Sequence, residues 1–243
     1  MSRIVRIQFG FDEERSCNVI ELPLSACRVS GLVVMLNSMD AVGEDEDGGA
    51  NGEEQPVLVV GMELPPTQDA PPDVNTKVLQ AVKAFLLNLA SAPEDGSGGV
   101  PIPLPSAVTS VSYYLYTLLG PHDRTLLLDL LPKRTDNMGP AKYTEADARG
   151  EKETCNGGDP RATMKRLLHV ANYLQIEPLV NLVAGYFAAS MIEICRASST
   201  SAATTTTTPA TRAAEHIREF MRVGHDWTEE ESRTIVRHTD WSL

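Results

Sequence analysis

Apolar residues recur along this chain with two spacings, and each spacing predicts a different element. From Arg3 to Phe9 they alternate, with Val5, Ile7 and Phe9 on one side and Arg6 and Gln8 on the other. A period of two is that of a half-buried strand. Cys17 to Leu22 offers a partner strand, joined through the polar Asp12–Arg15 turn. Val57 to Val60 is apolar at every position between Pro56 and Gly61, which predicts a central strand covered on both faces.

Elsewhere the apolar positions fall three and four apart, the period of an amphipathic helix. Gly31 to Met39 carries Leu32, Val33, Met35 and Leu36. Asn75 to Ala90 is the most regular, with Val78, Leu79, Val82, Phe85, Leu86 and Leu89 in one stripe. Ser25 and Ser30 stand where each can cap a short helix, and Asp73 or Asn75 can cap the long one. Val108, Val111, Leu115, Leu118 and Leu119 predict a further helix, stopped by Gly120-Pro121. Asp123 to Leu131 adds one turn or two. Asp159-Pro160 is a start signal, Asp at the cap and Pro at the first helical position. The helix it opens buries Met164, Leu167, Leu168, Ala171 and Leu174, and the next runs from Pro178 to Cys195, apolar nearly all round.

The segment from Arg212 to Leu243 differs in kind. Ile217, Phe220 and Met221 fall at i, i+3 and i+4 among Glu and Arg residues. Thr228-Glu229-Glu230-Glu231 is a capping box for a second short helix. Two or three turns do not hold themselves helical in water. Their apolar faces must lie on the domain before them, on a partner, or on both.

Between these elements the chain is polar. Residues 40–54 hold seven acids and no base, residues 91–105 are rich in Pro, Gly and Ser, residues 132–158 show no period, and 198–211 contains five consecutive threonines. Strands come first and helices then dominate, which predicts an α+β domain followed by a helical tail. The expected organisation is a domain over 1–197, a linker over 198–211 and helices over 212–243.

Composition narrows the function classes. The hydrophobic content of 42% supplies a real core, and the net charge is −12 over 243 residues, with a pI near 4.9. Such a balance argues against non-specific nucleic-acid binding, which needs clustered cations, and disfavours anionic membrane surfaces. No apolar run approaching the roughly 20 residues of a membrane span is expected, and no signal-peptide pattern opens the chain. The four cysteines, Cys17, Cys27, Cys155 and Cys195, lack CxxC spacing and read as reduced thiols of a cytoplasmic or nuclear protein. The five histidines have no metal-ligand spacing, and His169 reads as a satisfied or edge histidine on a core helix. Neither a nucleophile–base arrangement nor a phosphate loop can be argued. No enzyme activity, cofactor or metal is therefore expected.

Three segments carry a resemblance to a known family. They are Val74-Asn75-Thr76-Lys77-Val78-Leu79-Gln80-Ala81-Val82; Ala171-Asn172-Tyr173-Leu174-Gln175-Ile176-Glu177-Pro178-Leu179; and the tail, with Ile217-Arg218, Met221, Val223, Asp226-Trp227-Thr228-Glu229-Glu230-Glu231 and Trp241 in one register. Together they resemble the Skp family, the adaptor subunits of SCF (Skp–cullin–F-box) ubiquitin ligases. The first two fit any BTB/POZ-type domain, including the elongin C branch; the tail is specific to the Skp branch. A BTB-like domain with an unrelated helical tail is the plainer alternative.

The resemblance implies a BTB/POZ-like domain with a C-terminal F-box-binding extension. Leu179, Val183, Ile217, Phe220, Met221, Val223, Trp227, Ile235, Val236 and Trp241 would receive the F-box. Apolar residues of this number exceed what two short helices hide on themselves, and Met and Trp are enriched in interface cores. Asn172 and Tyr173 match the pair that faces the cullin N-terminal region, and Val74 and Asn75 are further candidates for that surface. The implied function is a non-catalytic adaptor in ubiquitin-dependent degradation, cytoplasmic and nuclear, without nucleic-acid or membrane partners. Exposed tail hydrophobics would promote weak self-association of the free protein. The alternative is a Skp-like subunit of a cullin-free F-box protein complex of the chromatin or kinetochore type.

The chain departs from the family pattern. His122-Asp123 stands where a Trp-Asp segment is usual, and the Val100–Gly120 stretch with Tyr113, Tyr114 and Tyr116 replaces a short polar loop. Where some protist relatives hydroxylate and glycosylate a proline, this chain has Ala214, so that modification is not expected at the family position.

Overall fold

The computed structural model describes residues 3–10, 18–43, 57–63, 73–91, 110–131, 160–200 and 214–218. Strand β1 (Ile4–Phe9) lies between β2 (Val19–Pro23), antiparallel to it, and β3 (Val57–Met62), parallel to it. The alternation of β1 holds in part: Val5 and Ile7 are completely buried and Arg6 on the other face pairs with Glu21 of β2 at 2.9 Å, but Gln8, expected on the polar face beside Arg6, is buried as well, and Phe9 is half-buried.

The expectation of a central Val57–Val60 strand is corrected. Among the described residues β3 is an edge strand, and its burial alternates. Leu58, Val60 and Met62 enter the core, whereas Val57 and Val59 are each 40% exposed on the outer face. An apolar run cannot distinguish a strand covered on both faces from an edge strand that leaves valines in solvent.

Helices cover the inner face of the sheet. A 3-10 turn, Leu24–Cys27, follows β2 and leads into α1 (Gly31–Gly43). Ser30 caps α1 as expected, its Oγ accepting from the Val33 amide at 3.3 Å. Ser25 does not cap: it lies exposed within the 3-10 turn, whose N-cap is Pro23. Helix α2 (Val74–Ser91) buries the predicted stripe, from Val78 to Leu86, with Leu89 packed at its edge. The two expected cap residues are engaged elsewhere: the Asp73 carboxylate pairs with Lys77 at 2.9 Å and Asn75 Oδ1 accepts from Arg166.

The predicted helix ending at Gly120-Pro121 is a short helical turn, α3 (Val111–Tyr113), that widens into a π-helical turn over Tyr114–Leu118. Leu119 is extended, and Gly120-Pro121 opens α4 (Pro121–Leu130), longer than the one or two turns expected. Helices α5 (Pro160–Tyr173) and α6 (Glu177–Thr200) complete the described domain. α5 buries Met164, Leu167 and Ala171, and Leu174 just after it is buried too, as the periodicity required; the expected Leu168 is only half-buried, Val170 is completely buried in addition, and His169 lies at the exposed edge. The chain is thus α+β, with one core shared by the sheet and the helices.

Helix α6 also corrects the hydropathy expectation. Glu177–Arg196 is long and apolar enough, with a mean hydropathy of 1.5, to cross a membrane by length and composition. Half of that window is buried inside the protein, and Leu179, Leu182, Val183 and Ala189 are all completely covered. The apolar surplus of α6 is therefore spent on the core.

Candidate interaction surface

The joint between α5 and α6 is built by backbone geometry that few residues adopt. Gln175 has φ of 54°, a left-handed conformation that L side chains tolerate poorly. It ends α5 sharply, and the Ile176 amide donates back to the Ala171 carbonyl at 2.9 Å. The joint is held from a distant part of the chain. Ser30 Oγ, completely buried, donates to the Leu174 carbonyl at 2.6 Å, and the Gly31 amide donates to the Gln175 carbonyl at 3.2 Å. One serine therefore caps α1 and satisfies a carbonyl of the joint, two roles that need its hydroxyl to accept and donate together.

Asn172 and Tyr173 ride on this joint. Asn172 is exposed, and Tyr173 is 38% exposed. The Tyr173 hydroxyl donates to the Gly61 carbonyl of β3 at 3.1 Å, so its ring lies against the sheet edge with one side open. Arg166, seven residues earlier on α5, shares the same helix face. Its side chain is 5% exposed, stands 4.8 Å over the Phe9 ring, and donates from Nε to Asn75 Oδ1 at 3.0 Å. Burial pushes the guanidinium below its usual range. A cation–π contact and a hydrogen bond offset part of that desolvation. The strip from Asn75 and Arg166 to Tyr173 therefore links α2, α5 and the sheet along about two turns of α5.

The candidate residues separate by depth. Asn172 and Tyr173 face solvent, Asn75 is half-buried and bonded to Arg166, and Val74 is 7% exposed and belongs to the core. Leu179 and Val183 are completely buried, so as the domain stands they support a surface and do not form one. Ile217 lies in the helical residues 214–218, half-buried and packed against the core. Phe220, Met221, Val223, Trp227, Ile235, Val236 and Trp241 lie outside the described residues.

Sequence reasoning missed several residues that shape this surface. Arg166 sits on the apolar side of α5, and a cation in such a stripe is the available signal. Ser30 reads as a cap, but its bond to Leu174 cannot be read across 144 residues. Tyr114, from the tyrosine-rich stretch, is completely buried and donates to the Leu182 carbonyl of α6 at 2.6 Å. Among the described residues, no group of three or more His, Cys, Asp or Glu could hold a metal ion. No protein-family model, curated protein or solved structure matches the chain.

Proposed function

We propose that this chain is a non-catalytic adaptor of the Skp type, which joins F-box substrate receptors to a cullin in an SCF-type ubiquitin ligase. The observation that carries the reading is the α5–α6 joint. It displays Asn172 and Tyr173 together at the sheet edge, fixed by the Ser30–Leu174 and Tyr173–Gly61 bonds. A half-exposed tyrosine held in one orientation loses little entropy on binding, which suits an interface anchor. A small sheet covered on one face by helices is also the arrangement a BTB/POZ-like domain would have.

In this reading the domain takes the cullin N-terminal region through Asn172, Tyr173 and the neighbouring Asn75. The tail, with Phe220, Met221, Trp227 and Trp241, takes the short helices of an F-box as an amphipathic groove-and-helix pair. Leu179 and Val183 belong to the core against which Ile217, at the start of the tail, packs. No chemistry is required of the chain; it raises the concentration of substrate beside the ligase's charged partner. It would act in the cytoplasm and nucleus.

The test is affinity purification of the full chain from its own cells, with Asn172→Ala/Tyr173→Ala and a truncation before Phe220. The expected result is cullin and F-box proteins with the wild type, loss of cullin alone with the double variant, and loss of F-box proteins with the truncation. F-box proteins without any cullin in the wild type would favour the cullin-free complex. Recovery of neither would end the adaptor reading.

A further inference from the structure

A groove of about 610 Å³ runs between α2 and α4, and its lining includes neither Asn172 nor Tyr173. On α2 its lining extends from Asp73 to Asn88, and on α4 from His122 to Leu130. At 1.5 Å per helical residue these walls are roughly 22 and 12 Å long. An opening so elongated suits a chain segment better than a compact small molecule.

The chemistry of the walls is asymmetric. Ala81, Phe85, Leu126 and Leu130 make an apolar floor, and the small side chains of Ala81 and Ala84 leave room for close approach. The α2 wall is electrically balanced: Asp73 is paired with Lys77 at 2.9 Å, and that bond holds its carboxyl below the usual range. Thr76, Gln80 and Asn88 complete that wall without charge. The α4 wall carries Asp123 and Asp129, and α4 has no basic residue in its last turn. Burial pushes the Asp123 carboxyl up, with His122 acting weakly against it. A cation arriving beside Asp123 would relieve that penalty.

We propose that the α2–α4 groove docks an amphipathic helix of a partner protein, its apolar face on the Ala81–Phe85–Leu126 floor and an arginine- or lysine-bearing flank against Asp123 and Asp129. The opposite flank of that helix is polar and uncharged, to match Thr76, Gln80 and Asn88. A chain of net charge −12 draws a cationic segment from a distance and repels an acidic one. The groove shares no residue with the Asn172–Tyr173 surface, so the proposal stands whether or not the chain is an adaptor.

The probe is a fluorescein-labelled synthetic helix of about four turns, with a Leu/Ala face, Arg on one flank and Gln on the other. Its control has Glu in place of Arg. Fluorescence anisotropy is read on the full chain and on two variants, Asp123→Asn/Asp129→Asn and Ala84→Phe, whose thermal midpoints are measured in parallel. Expected are saturable binding of the Arg helix that weakens with salt, at least about ten-fold weaker binding by the double Asn variant, and loss of binding by Ala84→Phe, whose added ring blocks the groove. The double Asn variant keeps the test valid should Ala84→Phe unfold the chain. Equal binding of the Glu helix, no saturable binding, or undiminished binding by the double Asn variant would overturn the proposal. Displacement of the Arg helix by equimolar spermine would also overturn it, assigning the groove to a free polyamine.

Discussion

At position 185 an added methyl group would lie 2.5 Å from the Tyr114 hydroxyl oxygen and 2.6 and 2.7 Å from its Cζ and Cε2. Glycine in the middle of α6 is costly, by about 1 kcal/mol relative to alanine, and the close approach of Tyr114 is what requires it. Gly185→Ala is therefore expected to destabilise the fold by about 2 kcal/mol despite its better helix propensity, because overpacking exceeds that gain. Tyr114→Phe alone is expected to cost about 1 kcal/mol through the lost bond to Leu182. It should not rescue Gly185→Ala, since the ring carbons still clash. Urea unfolding of the three variants checks this, and a rescued double variant would mean that the ring does not sit against Gly185.

Cys27 offers a second residue-level expectation. It is completely buried, and burial pushes its thiol from 9.0 up to about 11. Its folded value lies above its unfolded value, so the stability it contributes is fully present below pH 9 and is lost as the pH rises through about 11. Alkylation at about pH 8 should modify the exposed Cys195 and spare Cys27 until the protein unfolds. Prompt labelling of Cys27 would show that the thiol is accessible.

At the scale of elements, Ser30 joins α1 to the α5–α6 joint. Ser30→Ala removes an N-cap and leaves the Leu174 carbonyl without that donor, so a loss of about 2–3 kcal/mol is expected in denaturant melts. Ser30→Thr should retain much of it. The helices themselves are legible in the sequence: the stripe of α2 and most of that of α5 are the residues that their period singles out, and Pro160 opens α5 where the start signal lies. The π-helical turn is not legible, because its wider winding follows from seating Tyr114 against α6. Nor is the edge position of β3, since Val57 and Val59 look the same in sequence whether covered or exposed.

Over the whole molecule, one core spans the sheet, α2, α5 and α6, and Ser30, Arg166 and Tyr114 tie segments far apart in the chain. The described domain is therefore expected to unfold in a single transition. Ser30→Ala, in the N-terminal half, and Gly185→Ala, in the C-terminal half, should each lower the same midpoint by circular dichroism and by tyrosine fluorescence alike. Separate midpoints for the two probes would divide the core in two. The sequence by itself determined the α+β class, the helical stripes and the acidity that makes cationic partners favourable. All of these depend on local period, residue type or summed charge. Only the tertiary structure decided that β3 is an edge among the described residues, that Leu179 and Val183 are core, that Arg166 is buried against Phe9, and that α2 and α4 stand apart around a groove. Each of those depends on which distant segments meet, and a residue's own neighbours in sequence carry no record of that.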